Sequence, residues 1–206
     1  MLFRSCESWL NVGLKKMENI YMSALKALLG VRSTTANDLC LVELGYPPLK
    51  DFVKYKQAQF FQKMISERTE IEDDPLMFAI KLTQGSSTAT GTYLNFLLGI
   101  NDALGQGLAT VRQRVKESQR SKFLSYNQIN PDLQVHDVYN KDLKDFVPEY
   151  MRKSFTRLRL SAHRLKIETG RWARIPQDRR LCACGHIQDE AHVVQSCRLV
   201  QHIRDS

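Results

Sequence analysis

The chain has 206 residues, of which 43% are hydrophobic and 25% are charged, values that are ordinary for a folded protein. No apolar run approaches the ~20 residues that a membrane helix requires, which argues against a membrane-spanning protein. Residues 1–13 lack the apolar stretch and cleavage site of a secretory signal, so we expect an intracellular protein of the nucleus or cytoplasm.

The net charge of +8 is concentrated in the last quarter of the chain. Residues 151–206 carry twelve Lys and Arg against five Asp and Glu, whereas residues 1–150 carry eighteen against seventeen. Positive charge confined to one segment is typical of a protein with an anionic partner, most often nucleic acid. The alternative is a basic surface that only keeps the protein in solution.

Apolar periodicity predicts three helices in residues 1–66. The first should end at Gly30, and the second should run through Leu39 to Leu44 behind a cap from residues 33–35. The third should run from about Leu49 to Ile65. The predicted buried faces consist of Leu14, Met17, Tyr21, Leu25 and Leu28 in the first helix, and of Val53, Phe60, Phe61, Met64 and Ile65 in the third.

Residues 67–147 are predicted to form a less regular helical connector. An acidic turn at 70–74 and a small, polar loop at 85–91 interrupt it, and a short helix is expected at 135–147. No segment shows an alternation long enough to need a sheet, so the predicted fold class is all-α.

A long helix is expected from about Leu108, with Val111 and Val115 on its inner face. A basic stripe on the same helix is interpreted as a solvated face, with contact to phosphates as the alternative. The stripe consists of Arg112, Lys116 and Arg120.

Residues 148–206 are predicted to form a small, basic C-terminal module after the helical bundle. A helix from Glu149 to about Leu165 should be broken by Gly170. Apolar residues at helical spacing recur from Asp189 to Arg204, which predicts a closing helix.

This module contains three of the five cysteines within sixteen residues, in the spacing C-x-C-x7-H-x4-C. Thiolate and imidazole groups in this order suit tetrahedral zinc, and the predicted ligands are Cys182, Cys184, His192 and Cys197. His186 competes with His192, but it lies only two residues beyond Cys184, which is cramped for chelation. The alternative is a set of buried thiols and surface histidines that binds no metal.

The segment before the cysteines is rich in arginine, whose planar guanidinium suits phosphate groups. Trp172 is interpreted as apolar cover for the metal module, with stacking on a base as the alternative. The candidate nucleic-acid-binding residues are Arg157, Arg159, Arg164, Lys166, Arg171, Arg174, Arg179 and Arg180.

The stretch from Leu158 to Arg204 resembles the C-terminal zinc-binding region of reverse transcriptases from non-LTR (LINE-like) retrotransposons. The motifs that carry the resemblance are GRW at 170–172, RRLCACG at 179–185 and E-x-H-x4-C at 190–197. The first sixty-six residues are similar to the segment after the polymerase palm of the same elements. The matching motifs there are CESW at 6–9, LLGV at 28–31 and LVELGYPPL at 41–49.

The resemblance implies that residues 1–66 correspond to a thumb-like region and that the C-terminal module helps to hold RNA or DNA. The family's zinc ligands map onto the four predicted residues. The catalytic chemistry does not carry over, because that polymerase needs paired aspartates that hold magnesium, and Asp73-Asp74 lies in an acidic turn.

We therefore expect a non-catalytic, zinc-containing, nucleic-acid-binding C-terminal part of a polymerase, without a membrane partner or a small-molecule substrate. One alternative is a zinc-stabilised helical module that binds proteins. Another is a transposon remnant without a function.

Overall fold

A computed structural model describes residues 14–68, 103–139 and 147–205. These residues form helices and contain no strand, so the predicted all-α class is confirmed for them. None of the described helices combines the length and apolarity that crossing a membrane requires. The longer helices, numbered in chain order, are α1 (Leu14–Leu29), α2 (Asn37–Leu44), α3 (Leu49–Arg68), α4 (Ala103–Glu117), α5 (Ser121–Ile129), α6 (Glu149–Arg159) and α7 (Lys166–Trp172).

Several predictions for the connector lie outside the described residues. They are the acidic turn at 70–74, the polar loop at 85–91 and residues 140–146 of the helix expected at 135–147. The described part of that helix holds a single 3-10 turn, Asp137–Tyr139.

Helices α1 to α4 enclose one apolar core. Helix α4 packs against α2 and α3, while α1 packs against the same two helices. Val111 and Val115 of α4 are fully buried, as predicted, and they lie in one cluster with Leu25 and Val53. The described part of the predicted connector therefore shares its core with residues 14–66.

Two predicted buried faces need correction. Leu28 is 64% exposed and Leu29 is buried instead, while Phe60 on α3 is 44% exposed. Helix α3 buries Gln57 and Ala58, which lie on the side that faces its neighbours. The prediction that Leu28 and Phe60 are buried rests on hydrophobicity alone. Burial depends instead on which side of each helix the neighbouring helices pack against.

Helix ends follow the predictions in part. Gly30 and Gly45 follow the last residues of α1 and α2, both with positive φ. The predicted cap at 33–35 is wrong, because α2 begins after Ala36 without a side-chain cap. Helix α6 ends at Arg159 instead of Leu165, since the chain turns at Ser161 with a φ of 48°.

A buried ion pair joins α2 to α6. The Arg159 guanidinium donates to both carboxylate oxygens of Glu43, at 2.7 and 3.1 Å, and the Glu43 side chain is fully buried. The hydroxyls of Tyr126 and Tyr139 donate to the same carboxylate at 2.6 and 2.7 Å. Four donors thus compensate the buried charge, and the pair fixes the start of the C-terminal module on the bundle.

Candidate metal centre and basic surface

A short hairpin positions the first two predicted ligands. Leu181 and Ile187 form an isolated antiparallel bridge, and the Cys182 N–H donates to the His186 carbonyl at 2.7 Å. The reversal occurs at Gly185, whose φ of 91° is a conformation that L side chains rarely adopt. The tight turn holds Cys182 and Cys184 on the same side of the hairpin.

A π-helical turn, His192–Ser196, positions the other two ligands. Five residues along an α-helix turn the side chain by about 140°, which would point His192 and Cys197 in different directions. Here the Cys197 N–H donates to the His192 carbonyl at 2.8 Å, so the wider turn brings both side chains to one side. The predicted closing helix is therefore a π turn, a 3-10 turn (Arg198–Val200) and a short α-helix (Gln201–Arg204).

The four predicted ligand atoms converge within 4.8 Å of one another. The Sγ of Cys197 lies 3.7 Å from that of Cys182 and 4.0 Å from that of Cys184. The Sγ of Cys184 lies 3.1 Å from Nε2 of His192. Tetrahedral zinc with ~2.3 Å bonds to sulfur places two sulfurs about 3.8 Å apart, so the observed spacing fits such an ion.

The electrostatics of the cluster favour one thiolate over the others. The backbone N–H of Cys184, followed by the His192 side chain, lowers the pKa of the Cys182 thiol to about 6. For Cys184, the His186 backbone N–H lowers the thiol pKa, but burial and the neighbouring thiols of Cys182 and Cys197 raise it by more. Adjacent thiolates repel each other, and a divalent cation relieves that repulsion.

Outer hydrogen bonds orient two of the ligands. The Gln188 Nε2 lies 3.9 Å from the Cys182 sulfur, and the Ser196 hydroxyl lies 3.3 Å from Nδ1 of His192. The Asp189 carboxylate accepts from the His192 backbone N–H at 2.7 Å. Such partners fix the ring and thiol orientations that a tetrahedral site requires.

The two candidate histidines occupy different positions. His192 directs Nε2 at Cys184, whereas His186 is exposed and its Nδ1 lies 3.8 Å from the same sulfur. The His186 ring stacks on the His192 ring with centroids 5.4 Å apart. The group of converging ligand atoms includes His192 and omits His186.

We expect His192→Ala to lose zinc binding and His186→Ala to keep it, because the His192 nitrogen converges with the three sulfurs and belongs to the group that could hold an ion. Zinc content per purified chain would measure the difference, with His186→Ala as the matched control. Loss of zinc from His186→Ala together with retention by His192→Ala would reverse the ligand choice.

Two buried carboxylates connect the segment that carries the cysteines and histidines to its surroundings. His163 Nε2 lies 2.7 Å from Glu190, and the Ser161 hydroxyl donates to the same oxygen at 2.9 Å. The Leu165 N–H donates to Nδ1 of His163, which leaves the proton on Nε2, so His163 donates to Glu190. Burial opposes ionisation of Glu190, but the His163 hydrogen bond lowers its pKa below the usual range.

Glu168 is the second buried carboxylate, with 1% of its side chain exposed. Lys122 of α5 and Arg171 of α7 each approach it at 2.8 Å. Glu168 therefore links the module to α5, whereas Glu190 links the cysteine and histidine segment to residues 161–163.

The predicted basic residues separate into two groups. Arg159 is 5% exposed and paired with Glu43, Arg171 is paired with Glu168, and Arg180 donates to the carbonyls of Ile167 and Ile175. Arg159 therefore cannot contact nucleic acid as predicted, and Arg171 and Arg180 have structural partners. The exposed residues of the predicted set are Arg157, Arg164, Lys166, Arg174 and Arg179.

Gly170 lies inside α7, so its predicted role as a helix breaker is wrong. A Cβ at this position would lie 2.7 Å from the Cγ of Arg180. The glycine therefore permits the Arg180 side chain to cross the helix and reach the Ile167 carbonyl at 2.9 Å. This contact couples α7 to the cysteine hairpin.

The predicted burial of Trp172 is also wrong. Its side chain is 53% exposed, and the Arg32 guanidinium lies over the ring at 3.9 Å from the centroid. The sequence does not single out Arg32, because this residue lies in a segment without excess positive charge. Its only signal was a lone arginine just after a predicted helix end.

Comparison of the chain with protein-family models, with curated proteins and with solved structures found no match.

Proposed function

We propose that the chain binds RNA or DNA through a zinc-stabilised basic module, as the C-terminal region of a non-LTR retrotransposon reverse transcriptase. The observation that carries the proposal is the convergence of Cys182, Cys184, His192 and Cys197 within 4.8 Å, beside an exposed set of basic residues. Three thiols and one imidazole in tetrahedral spacing form a closed site of the structural type, with no ligand position left for a reacting water.

The exposed arginines support nucleic acid as the partner. Arg157, Arg164, Arg174 and Arg179 are exposed, and the guanidinium group forms bidentate contacts with phosphate. Bound metal would hold the hairpin that follows these residues in one conformation. The basic residues would therefore have a fixed backbone position. Phosphate contacts of this kind give sequence-independent binding that weakens as salt rises.

Contacts between the two segments that resemble the family support the family assignment. Glu43 belongs to LVELGYPPL at 41–49, and Arg159 belongs to the stretch 158–204. These two residues form the buried ion pair that joins α2 to α6. Within the second segment, Glu190 of the E-x-H-x4-C motif also pairs with His163. The residues of the resembling segments therefore act together in one folded unit.

We expect Arg174→Gln combined with Arg179→Gln to weaken RNA binding about tenfold or more at low salt. Removal of two phosphate contacts should also reduce the slope of log Kd against log salt by about 1.4, at ~0.7 for each contact with a single strand. Fluorescence anisotropy with a labelled 20-nucleotide RNA, and with the DNA of the same sequence, would measure both quantities.

The matched control is Lys15→Gln combined with Lys16→Gln, which removes the same charge from exposed positions on α1. This variant should bind almost as tightly as the unmodified chain. Binding that does not change with salt, or an equal loss in both double variants, would contradict the proposal. A salt-independent complex would instead favour a module that binds proteins.

A further inference from the structure

A cleft of about 450 Å³ lies between the α1–α2 loop and the first part of the C-terminal module. Gly30, Val31 and Arg32 form one wall. The opposite wall consists of Ser154 and Arg157 on α6, together with residues 162–164. None of the described residues that line the cleft is acidic, so its three charged side chains are all arginines.

Arg32 is held in place before any ligand arrives. Its Nη2 donates to the His163 carbonyl at 3.3 Å, and its guanidinium stacks on Trp172. Its Nη1 is buried and has no hydrogen-bond partner among the described residues. A buried donor without a partner is unfavourable, and an anionic ligand is the kind of group that would compensate it.

The other two arginines contribute donors that remain accessible. Arg157 uses Nε to donate to the Gly30 carbonyl at 2.7 Å, which leaves its terminal nitrogens for another acceptor. Arg164 is exposed at the edge of the cleft. Three guanidinium groups from separate segments therefore surround one space, with the Ser154 hydroxyl as a further donor.

We propose that this cleft binds a phosphate group of the nucleic-acid backbone, with Arg32, Arg157 and Arg164 as its contacts. The inference rests on the proposed nucleic-acid function and adds a defined subsite to it. The positive charge of the three arginines would also attract a carboxylate, but several guanidinium groups together can donate hydrogen bonds to the several oxygens of one phosphate. The exposed part of the Trp172 ring, next to Arg32, offers a surface on which a neighbouring base stacks.

The cleft lies between two regions that the sequence predicts as separate, the thumb-like region and the basic C-terminal module. Arg32 comes from the thumb-like region, and Arg157 and Arg164 come from the basic module. Bound phosphate would therefore contact both segments at once.

Arg164→Gln is the first test, because this exposed side chain can be changed with little effect on packing. In the zinc-loaded chain, it should weaken binding of a 20-nucleotide RNA about fivefold at 0.1 M salt and lower the salt slope by ~0.7. Lys16→Gln, which removes one exposed cation from α1 outside the cleft, is the matched control and should change neither value by as much. Arg32→Gln should weaken binding at least as strongly, with a thermal melt to confirm that it folds.

Trp172 fluorescence provides a second, direct measurement of the cleft. In a Trp9→Phe background, Trp172 is the remaining tryptophan, and its emission should change when the RNA reaches Arg32. Inorganic phosphate and polyglutamate, each added at the same ionic strength as the RNA, test the other sources of negative charge. We expect a smaller change with inorganic phosphate and none with polyglutamate.

The outcomes separate the cleft from the wider proposal. RNA binding that Arg164→Gln and Arg32→Gln leave unchanged, with constant Trp172 emission, would overturn the cleft and leave the proposed function intact. Failure of the unmodified chain to bind any oligonucleotide would overturn the proposed function. Saturation by inorganic phosphate alone, or by polyglutamate, would assign the cleft to a different anion.

Discussion

Cys197→Ala is expected to abolish zinc binding and unfold the segment from Lys166 onward while the helical bundle stays folded. From Lys166 onward, the buried apolar residues of the described chain are Ile167, Cys182 and Cys197, two of which are predicted ligands. So little apolar burial cannot hold the segment, whereas structural zinc sites contribute ~10 kcal/mol or more. Zinc content per chain and amide hydrogen exchange by mass spectrometry would measure the loss.

Amide hydrogen exchange should distinguish the cysteine hairpin from the helical bundle. Amides that are hydrogen-bonded in the hairpin, such as those of Cys182 and Gln188, should lose protection by several orders of magnitude. Amides in α1–α4 should keep most of their protection, because the apolar core of these helices contains no residue of the hairpin. Removal of the metal from the unmodified chain with a chelator should give the same pattern.

The matched control is Cys40→Ala, which removes a buried thiol from the bundle and leaves the four ligands unchanged. It should retain one zinc per chain and lower the stability of the bundle by about 1 kcal/mol through lost packing. Retention of zinc and of hairpin protection in Cys197→Ala would show that Cys197 is not a ligand of the metal that holds the hairpin.

Arg159→Met is expected to lower the free energy of unfolding by about 3–5 kcal/mol. The substitution removes the cation from a fully buried Glu43 carboxylate, and a buried charge without its partner is strongly destabilising. Tyr126 and Tyr139 would still donate to Glu43, since burial and the carboxylate itself raise both tyrosine pKa values above their usual range. Denaturant unfolding followed by circular dichroism would measure the change.

Arg114→Met is the control, because it breaks an arginine–aspartate pair of similar geometry at the surface. Arg114 donates to Asp38 at 2.9 and 3.1 Å, with half of its side chain exposed. Its loss should cost less than about 1 kcal/mol. If Arg159→Met costs no more than Arg114→Met, the Glu43 pair does not anchor the module.

Features that depend on one residue and its near neighbours could be predicted from the sequence. Gly30 and Gly45 end their helices because a left-handed backbone stops the helical ladder. Val111 and Val115 are buried because they are four residues apart on one helix face. The cysteine and histidine spacing predicted a cluster that the fold does assemble, since a turn and one helical segment bring together residues at most fifteen apart.

The tertiary structure alone decided what the basic residues do. Composition alone cannot distinguish Arg159, Arg171 and Arg180 from Arg164 and Arg179, because all five carry the same charge in one segment. Arg159 and Arg171 differ because Glu43, which is 116 residues from Arg159 in sequence, and Glu168 lie buried beside them and need a cation. Arg180 differs because it donates to the carbonyls of Ile167 and Ile175. The sequence by itself determined the cysteine and histidine cluster and the sign of the module's charge, whereas burial, a property of the whole fold, decided which arginines remain for a partner.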